Sequence, residues 1–180
     1  TENNVVTFHV NVAKRQLKVL LVAGAPTMEF HHLVPALIRD KVMTVSCFLQ
    51  SADVNAIQQG NDVIEELPRT PAQWNRYDVV ILFDIDPSRL TNEQENGLEE
   101  LVHERGGGVM FVAGRANGMA SLLQVRGAKV EAMLPVEINK NQYPEFETVF
   151  SEPFHCARTR DGEKHPLMIF SPTKEKNDEI

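Results

Sequence analysis

Gly106-Gly107-Gly108-Val109-Met110-Phe111-Val112-Ala113-Gly114-Arg115-Ala116-Asn117-Gly118 is the stretch whose reading decides the fold. Its three leading glycines stop a helix. Val109 to Ala113 form a short apolar run, as in a strand covered on both faces. Gly114, Ala116 and Gly118 then keep the spacing of a nucleophile elbow, the sharp strand-to-helix turn that presents a reactive side chain. An elbow enzyme carries Ser or Cys at the centre of that frame. Ala116 has no nucleophilic atom, so the stretch reads as the architecture of an enzyme without its nucleophile. It predicts Ala116 in a tight turn with unusual backbone dihedrals. It also offers Arg115 and Asn117 to hold a ligand or partner.

The segments before it repeat a strand-then-helix pattern. Leu17 to Ala23 is a continuous apolar strand, and Gly24-Ala25-Pro26 turns the chain. Thr27 can cap a helix whose apolar stripe is Phe30, Leu33, Val34, Leu37 and Ile38. Pro35 lies in that stripe, and either kinks the helix or marks a later start. Val42 to Leu49 is a second strand, and Ser51 to Gln59 a polar loop with a short helical turn. Val79 to Phe83 is a third strand, ending in Asp84-Ile85-Asp86-Pro87. Thr91-Asn92-Glu93-Gln94 is a capping-box pattern. The helix it opens buries Leu98, Leu101 and Val102, has Glu93 and Glu95 in its first turn, and stops at Gly106. Met119 to Val125 reads as a short helix. Beyond Pro135 the pattern weakens, with a strand at Glu152 to Arg158 and a turn into another at His165 to Phe170. Strands alternating with helices imply a mainly parallel sheet with right-handed crossovers.

At the start, Val6, Phe8, Val10 and Val12 alternate with Thr7, His9 and Asn11, as in a half-buried strand. It suits an edge of the main sheet or the last strand of an upstream β domain. The change of character at Leu17 favours the second, with residues 1–16 outside the α/β domain of 17–180. The chain opens on Thr1 and closes on a charged, helix-like run, Lys174 to Ile180. The expectation is a piece of a longer protein, its domain truncated at the C-terminus.

Composition narrows the function classes. The 180 residues carry 42% hydrophobic and 24% charged side chains, ordinary for a globular domain. A net charge of −7 and the lack of a basic stripe argue against a nucleic-acid partner. No apolar run approaches the ~20 residues that cross a bilayer. Of the two cysteines, Cys47 lies in an apolar run and reads as a core thiol. With Cys156 it makes neither a zinc site nor a disulfide framework.

In an open parallel sheet, ligands bind beyond the C-terminal ends of the strands. That rule gathers Glu29, His31, Asp84, Asp86, Arg115 and Asn117 at one edge, able to hold a small polar ligand or a cation. The bland account is structural. Asp84 and Asp86 shape a turn, Glu29 serves its helix dipole, and Arg115 pairs with one of them. Specific chemistries fit poorly. Gly24-Ala25-Pro26-Thr27-Met28-Glu29 is not the G-x-G-x-x-G of a dinucleotide site. Asp84 sits where a phospho-receiver aspartate stands, but Gly24-Ala25 replaces the acidic pair that would hold Mg²⁺. A triad needs a nucleophile, and Ser121 is too far along to replace Ala116. His155 and His165 lack the H-x-E pattern of an amidotransferase base. His31 and His32, neighbours on a helix, diverge by ~100° and do not share a metal.

Together these residues resemble the class I glutamine amidotransferase-like domains of large bacterial membrane-associated proteins that also carry von Willebrand type A and immunoglobulin-like domains. The matching segments are VLLVAGAPTMEFHHLVPAL (19–37), VSCFLQSAD (45–53), LPRTPAQWNRYDVVILFDIDPSRLTNEQ (67–94), ERGGGVMFVAGRANG (104–118) and MLPVEI (133–138). The tail EPFHCARTRDGEKHPLMIF (152–170) also fits. The resemblance implies a flavodoxin-like three-layer α/β sandwich, with residues 1–12 closing a preceding β-sandwich domain. Such domains generally lack the amidotransferase nucleophile, so the resemblance implies no catalytic residue and no cofactor. The function expected is a catalytically inactive module for binding or assembly. Its partners would be other domains of the same parent protein, a small polar ligand or a protein partner. The alternative is a hydrolase of a sugar-like substrate using the strand-end carboxylates and histidines.

Overall fold

The computed structural model describes residues 16–53, 56–114, 117, 129–134, 159–171 and 173. The chain forms two compact units, Thr1–Gln142 and Tyr143–Ile180.

Four parallel strands make the sheet of the first unit: β1 (Leu17–Ala23), β2 (Met43–Leu49), β3 (Val79–Phe83) and β4 (Gly108–Val112), in the order β2-β1-β3-β4. β1 and β3 are the central strands. Leu20, Leu21, Val22 and Val80 are fully buried, each worth roughly 1.5–3 kcal/mol over an exposed position. Because β1 leads to β2 on one side and to β3 on the other, successive crossovers cover opposite faces. Helix α1 (Met28–Arg39) packs Phe30 and Val34 against Val19, Leu21 and Ala23. On the other face, α2 (Pro71–Trp74), α3 (Asn92–His103) and α4 (Lys129–Met133) pack Trp74, Leu98, Leu101 and Val130 against Leu20, Val22 and Leu82. The result is an α/β fold with a flavodoxin-like layout. No helix among the described residues is long and apolar enough to cross a membrane.

The expected caps form. Thr27 accepts the Phe30 N–H, and Thr91 and Gln94 close a reciprocal capping box. Pro35 is inside α1, so it does not mark a later start. It lies on the exposed side of that helix, where water can satisfy the carbonyl it leaves unpaired. Gly106, at φ +69, provides the left-handed turn after α3, and the Gly107 N–H caps the Leu101 carbonyl at 2.9 Å.

Several expectations need correction. Gly108 is not part of the helix stop: it opens β4, in register with Val79, and Ala113 lies beyond the strand. Nor is β4 covered on both faces, since Met110 is 50% exposed. Among the described residues β4 is last in the strand order, whereas β1 and β3 each have a strand on both sides. In the loop after β2, the Ala52 N–H donates to the Leu49 carbonyl and the Ala56 N–H to the Asp53 carbonyl, and residues 54–55 lie outside the described residues. The chain then runs back along β2, with an antiparallel bridge from Gly60 to Ser46, and the Asn61 N–H donates to the Val45 carbonyl. That return shields the edge of β2. The stretch from His165 to Phe170 does not turn into a strand: Gly162–Lys164 and Pro166–Met168 are 3₁₀ turns. The strands read at residues 5–12 and 152–158, and the helix at 119–125, lie outside the described residues.

Gly97 of α3 presses against the Trp74 indole so closely that a Cβ there would enter Cδ1 and Nε1. Overpacking of this kind costs about 1–3 kcal/mol. Gly97→Ala is therefore expected to lower the urea midpoint by that equivalent with an unchanged m-value. A midpoint equal to that of the unsubstituted protein would show that Trp74 repacks freely. Cys47 is buried, which pushes its thiol up to about 11. Alkylation at pH 8 followed by peptide mapping is expected to leave Cys47 unlabelled until the chain is denatured.

Candidate functional site

The ends of β1, β3 and β4 meet at Asp84. Each ladder runs one step past its strand: the Gly24 N–H donates to the Phe83 carbonyl at 3.1 Å, and the Asp84 N–H to the Val112 carbonyl at 2.8 Å. Asp84 is fully buried and adopts φ +45, a left-handed conformation. Asp and Asn tolerate that region better than most side chains. The Asn117 N–H donates to Asp84 Oδ1 at 2.7 Å, and Asn117 Nδ2 donates to the Asp84 carbonyl at 2.6 Å. The pair joins the turn after β4 to the end of β3.

This closure needs two glycines. A Cβ on Gly24 would run into the Asp84 carbonyl oxygen, and one on Gly114 into the Asp84 side chain. Gly114 thus has a steric duty of its own, against Asp84. Among the described non-glycine residues, the positive φ falls on Asp84. Arg115, Ala116 and Gly118, with the geometry expected of Ala116, lie outside the described residues.

The other carboxylates of this edge have their own duties. Asp86 caps the 3₁₀ turn Pro87–Arg89, accepting from the Ser88 N–H at 3.0 Å and the Ser88 hydroxyl at 2.6 Å. Its backbone is bonded in both directions to the Gln50 side chain, and Arg89 lies 3.5 Å from its Oδ2. Asp86 therefore belongs with the loop after β2. Glu29 is exposed in the first turn of α1. Its own backbone N–H, then the Thr27 hydroxyl, hold its carboxyl below the usual value. The charges of His32 and Asp84 act on it in opposite directions. Glu29 lies in the first turn of the helix that follows β1, and Asp84 follows the end of β3.

His31 and His32 are both exposed on α1, and the His31 ring meets the Phe30 ring edge-on at 5.9 Å. Among the described residues, no group of three or more His, Cys, Asp or Glu is placed to hold a metal. His165 belongs to the second unit, at the end of its first 3₁₀ turn. His155, Cys156 and Ser121 fall outside the described residues.

Sequence reasoning placed Asp84 and Asn117 at one edge but did not pair them. It also missed Gln50 and Arg89. The detectable signal for the clamp was the pair of glycines following β1 and β4. For Gln50 there was none, because its partner lies 36 positions away.

What the fold and these contacts define is an α/β domain with a parallel sheet and a buried aspartate joining its strand ends. No family model matches the chain, and neither a curated protein nor a solved structure matches it.

Asp84→Ala removes the acceptor for the Asn117 N–H, a bond to a charged group worth about 1.5–3 kcal/mol. It also leaves a side chain less suited to φ +45. Asp84→Asn keeps an oxygen acceptor and that tolerance. The expected order of stability in urea is unsubstituted, then Asp84→Asn, then Asp84→Ala, with faster amide exchange at Asn117 in the alanine variant. Unchanged exchange there would refute the clamp.

Proposed function

We propose that the chain is a class I glutamine amidotransferase-like module that binds or assembles rather than catalyses, within a larger membrane-associated protein. The observation that carries this reading is the commitment of Asp84. It is buried, and its carboxylate holds the backbone of Asn117. Asp86 is engaged in capping its own turn. Two of the three strand-end carboxylates that a hydrolase would aim at a substrate are therefore holding loops. The glycine spacing around Ala116 supports the amidotransferase-like part of the proposal, as does a strand order compatible with a flavodoxin-like layout. Glu29 and His31 at the start of α1 are exposed at the same end of the sheet. They belong to the surface proposed to meet a neighbouring domain, a protein partner or a small polar ligand.

The test uses the intact parent protein. Glu29→Arg is expected to weaken association of this module with its neighbours by about tenfold in Kd. The folded domain should keep its melting temperature to within about 2 °C, since the position is exposed. Parallel assays follow ammonia release from glutamine and hydrolysis of chromogenic glycosides. Saturable turnover that disappears in Glu29→Gln would overturn the proposal in favour of a hydrolase.

A further inference from the structure

The sequence contains two Asn-Gly pairs, Asn96-Gly97 and Asn117-Gly118. In such a pair the glycine peptide nitrogen can attack the asparagine side-chain Cγ, because no Cβ on the following residue hinders the approach. The attack needs the reacting atoms about 3–3.5 Å apart and correctly aimed. What holds the asparagine therefore decides whether the pair reacts.

The two pairs are held by different means. Asn96 is exposed but lies within α3, whose backbone ladder takes up the Gly97 N–H. Gly97 is also pressed against the Trp74 indole. α3 has to come apart before that nitrogen is free. Asn117 lies in neither a helix nor a strand. Its restraint is the clamp to Asp84, in which the Asn117 N–H donates to Oδ1 at 2.7 Å and Nδ2 to the carbonyl at 2.6 Å. The same Nδ2 is close to Gly24, where an added Cβ would come 2.5 Å from it. The nitrogen that would leave in the reaction is thus enclosed between the ends of β1 and β3. Turning the amide breaks the Nδ2 bond, and turning the backbone breaks the other.

We propose that Asn117 is a deamidation site that the clamp to Asp84 keeps closed, and that reaction there unfastens the clamp irreversibly. The Gly118 nitrogen forms a bond to Asn117 Cγ and the Cγ–Nδ2 bond breaks. The displaced nitrogen takes the peptide proton and leaves as ammonia. Water then opens the cyclic imide at either carbonyl, giving aspartate or its β-linked isomer. In the aspartate product an oxygen replaces the nitrogen that donates to the Asp84 carbonyl, so two acceptors face each other. The new negative charge also stands near the Asp84 carboxylate, and like charges repel. The β-linked isomer adds a methylene to the backbone of the turn. Either product releases the turn after β4 from the end of β3.

The experiment is peptide mapping by mass spectrometry of the 180-residue chain, incubated in mildly alkaline buffer with and without urea. In urea both asparagines are expected to convert at comparable rates. In the folded chain Asn117 should convert at least about tenfold more slowly than in urea, as expected for a hydrogen bond to a charged group. Asp84→Ala should raise the folded-state rate at Asn117 by about tenfold while Asn96 stays slow. Asn96 is the monitor of the fold: if it accelerates too, Asp84→Ala has unfolded. Asp84→Asn, which keeps an acceptor but loses the charge, then carries the test with a severalfold rise. Asn117→Asp, which imitates the product, should lower the urea midpoint and speed amide exchange at its own N–H. Conversion of Asn117 as fast in the folded chain as in urea would overturn the proposal. So would an unchanged rate in the folded Asp84 variants, or an unchanged midpoint and exchange rate in Asn117→Asp.

Discussion

Asp84 holds the strand ends together. Its backbone extends the β3–β4 ladder and its carboxylate binds the Asn117 N–H, while its left-handed turn comes close against Gly24 and Gly114. A buried carboxylate is costly unless it is hydrogen-bonded. The fold meets that requirement with the backbone of the turn after β4. The geometry of that turn is therefore tied to β3 and to the end of β1.

The same contact shapes the reading of function. A carboxylate at the C-terminal edge of a parallel sheet stands where ligands gather, and such residues are natural candidates for chemistry. Burial and hydrogen bonding give this one a structural task. Asp86, two residues on, is similarly engaged, while Glu29 remains at the surface on α1. The edge consequently offers a polar surface with two of its three carboxylates occupied.

The two faces of the sheet also differ. Among the described residues, α1 covers its face of the sheet through Phe30 and Val34. The opposite face is shared among α2, α3 and α4, and depends on the contact between Gly97 and Trp74. Where the 3₁₀ turn after β3 and the start of α3 meet the loop after β2, the packing leaves a recess lined by Arg69, Arg89 and Gln94. Strand-end ligand rules draw attention to the central strands, whereas this recess lies toward β2.

The sequence by itself determined the local elements. Continuous apolar runs specified β1 and β3, and the spacing of Phe30 and Val34 specified α1. Thr91 and Gln94 marked the start of α3, because capping is a contact across three residues. Tertiary structure decided what depends on distant partners. Val109 to Val112 reads as a strand covered on both faces, but Met110 is half exposed and β4 is last in the strand order among the described residues. The loop after β2 has its form because Gly60 and Asn61 meet β2. Gln50 finds Asp86 and Asn117 finds Asp84 only after the strands have aligned. The opening stretch shows its glycine spacing and Ala116 directly, since residue identity is a matter of composition. That Gly114 and Asn117 close around a buried aspartate is a matter of packing, and became visible only in three dimensions.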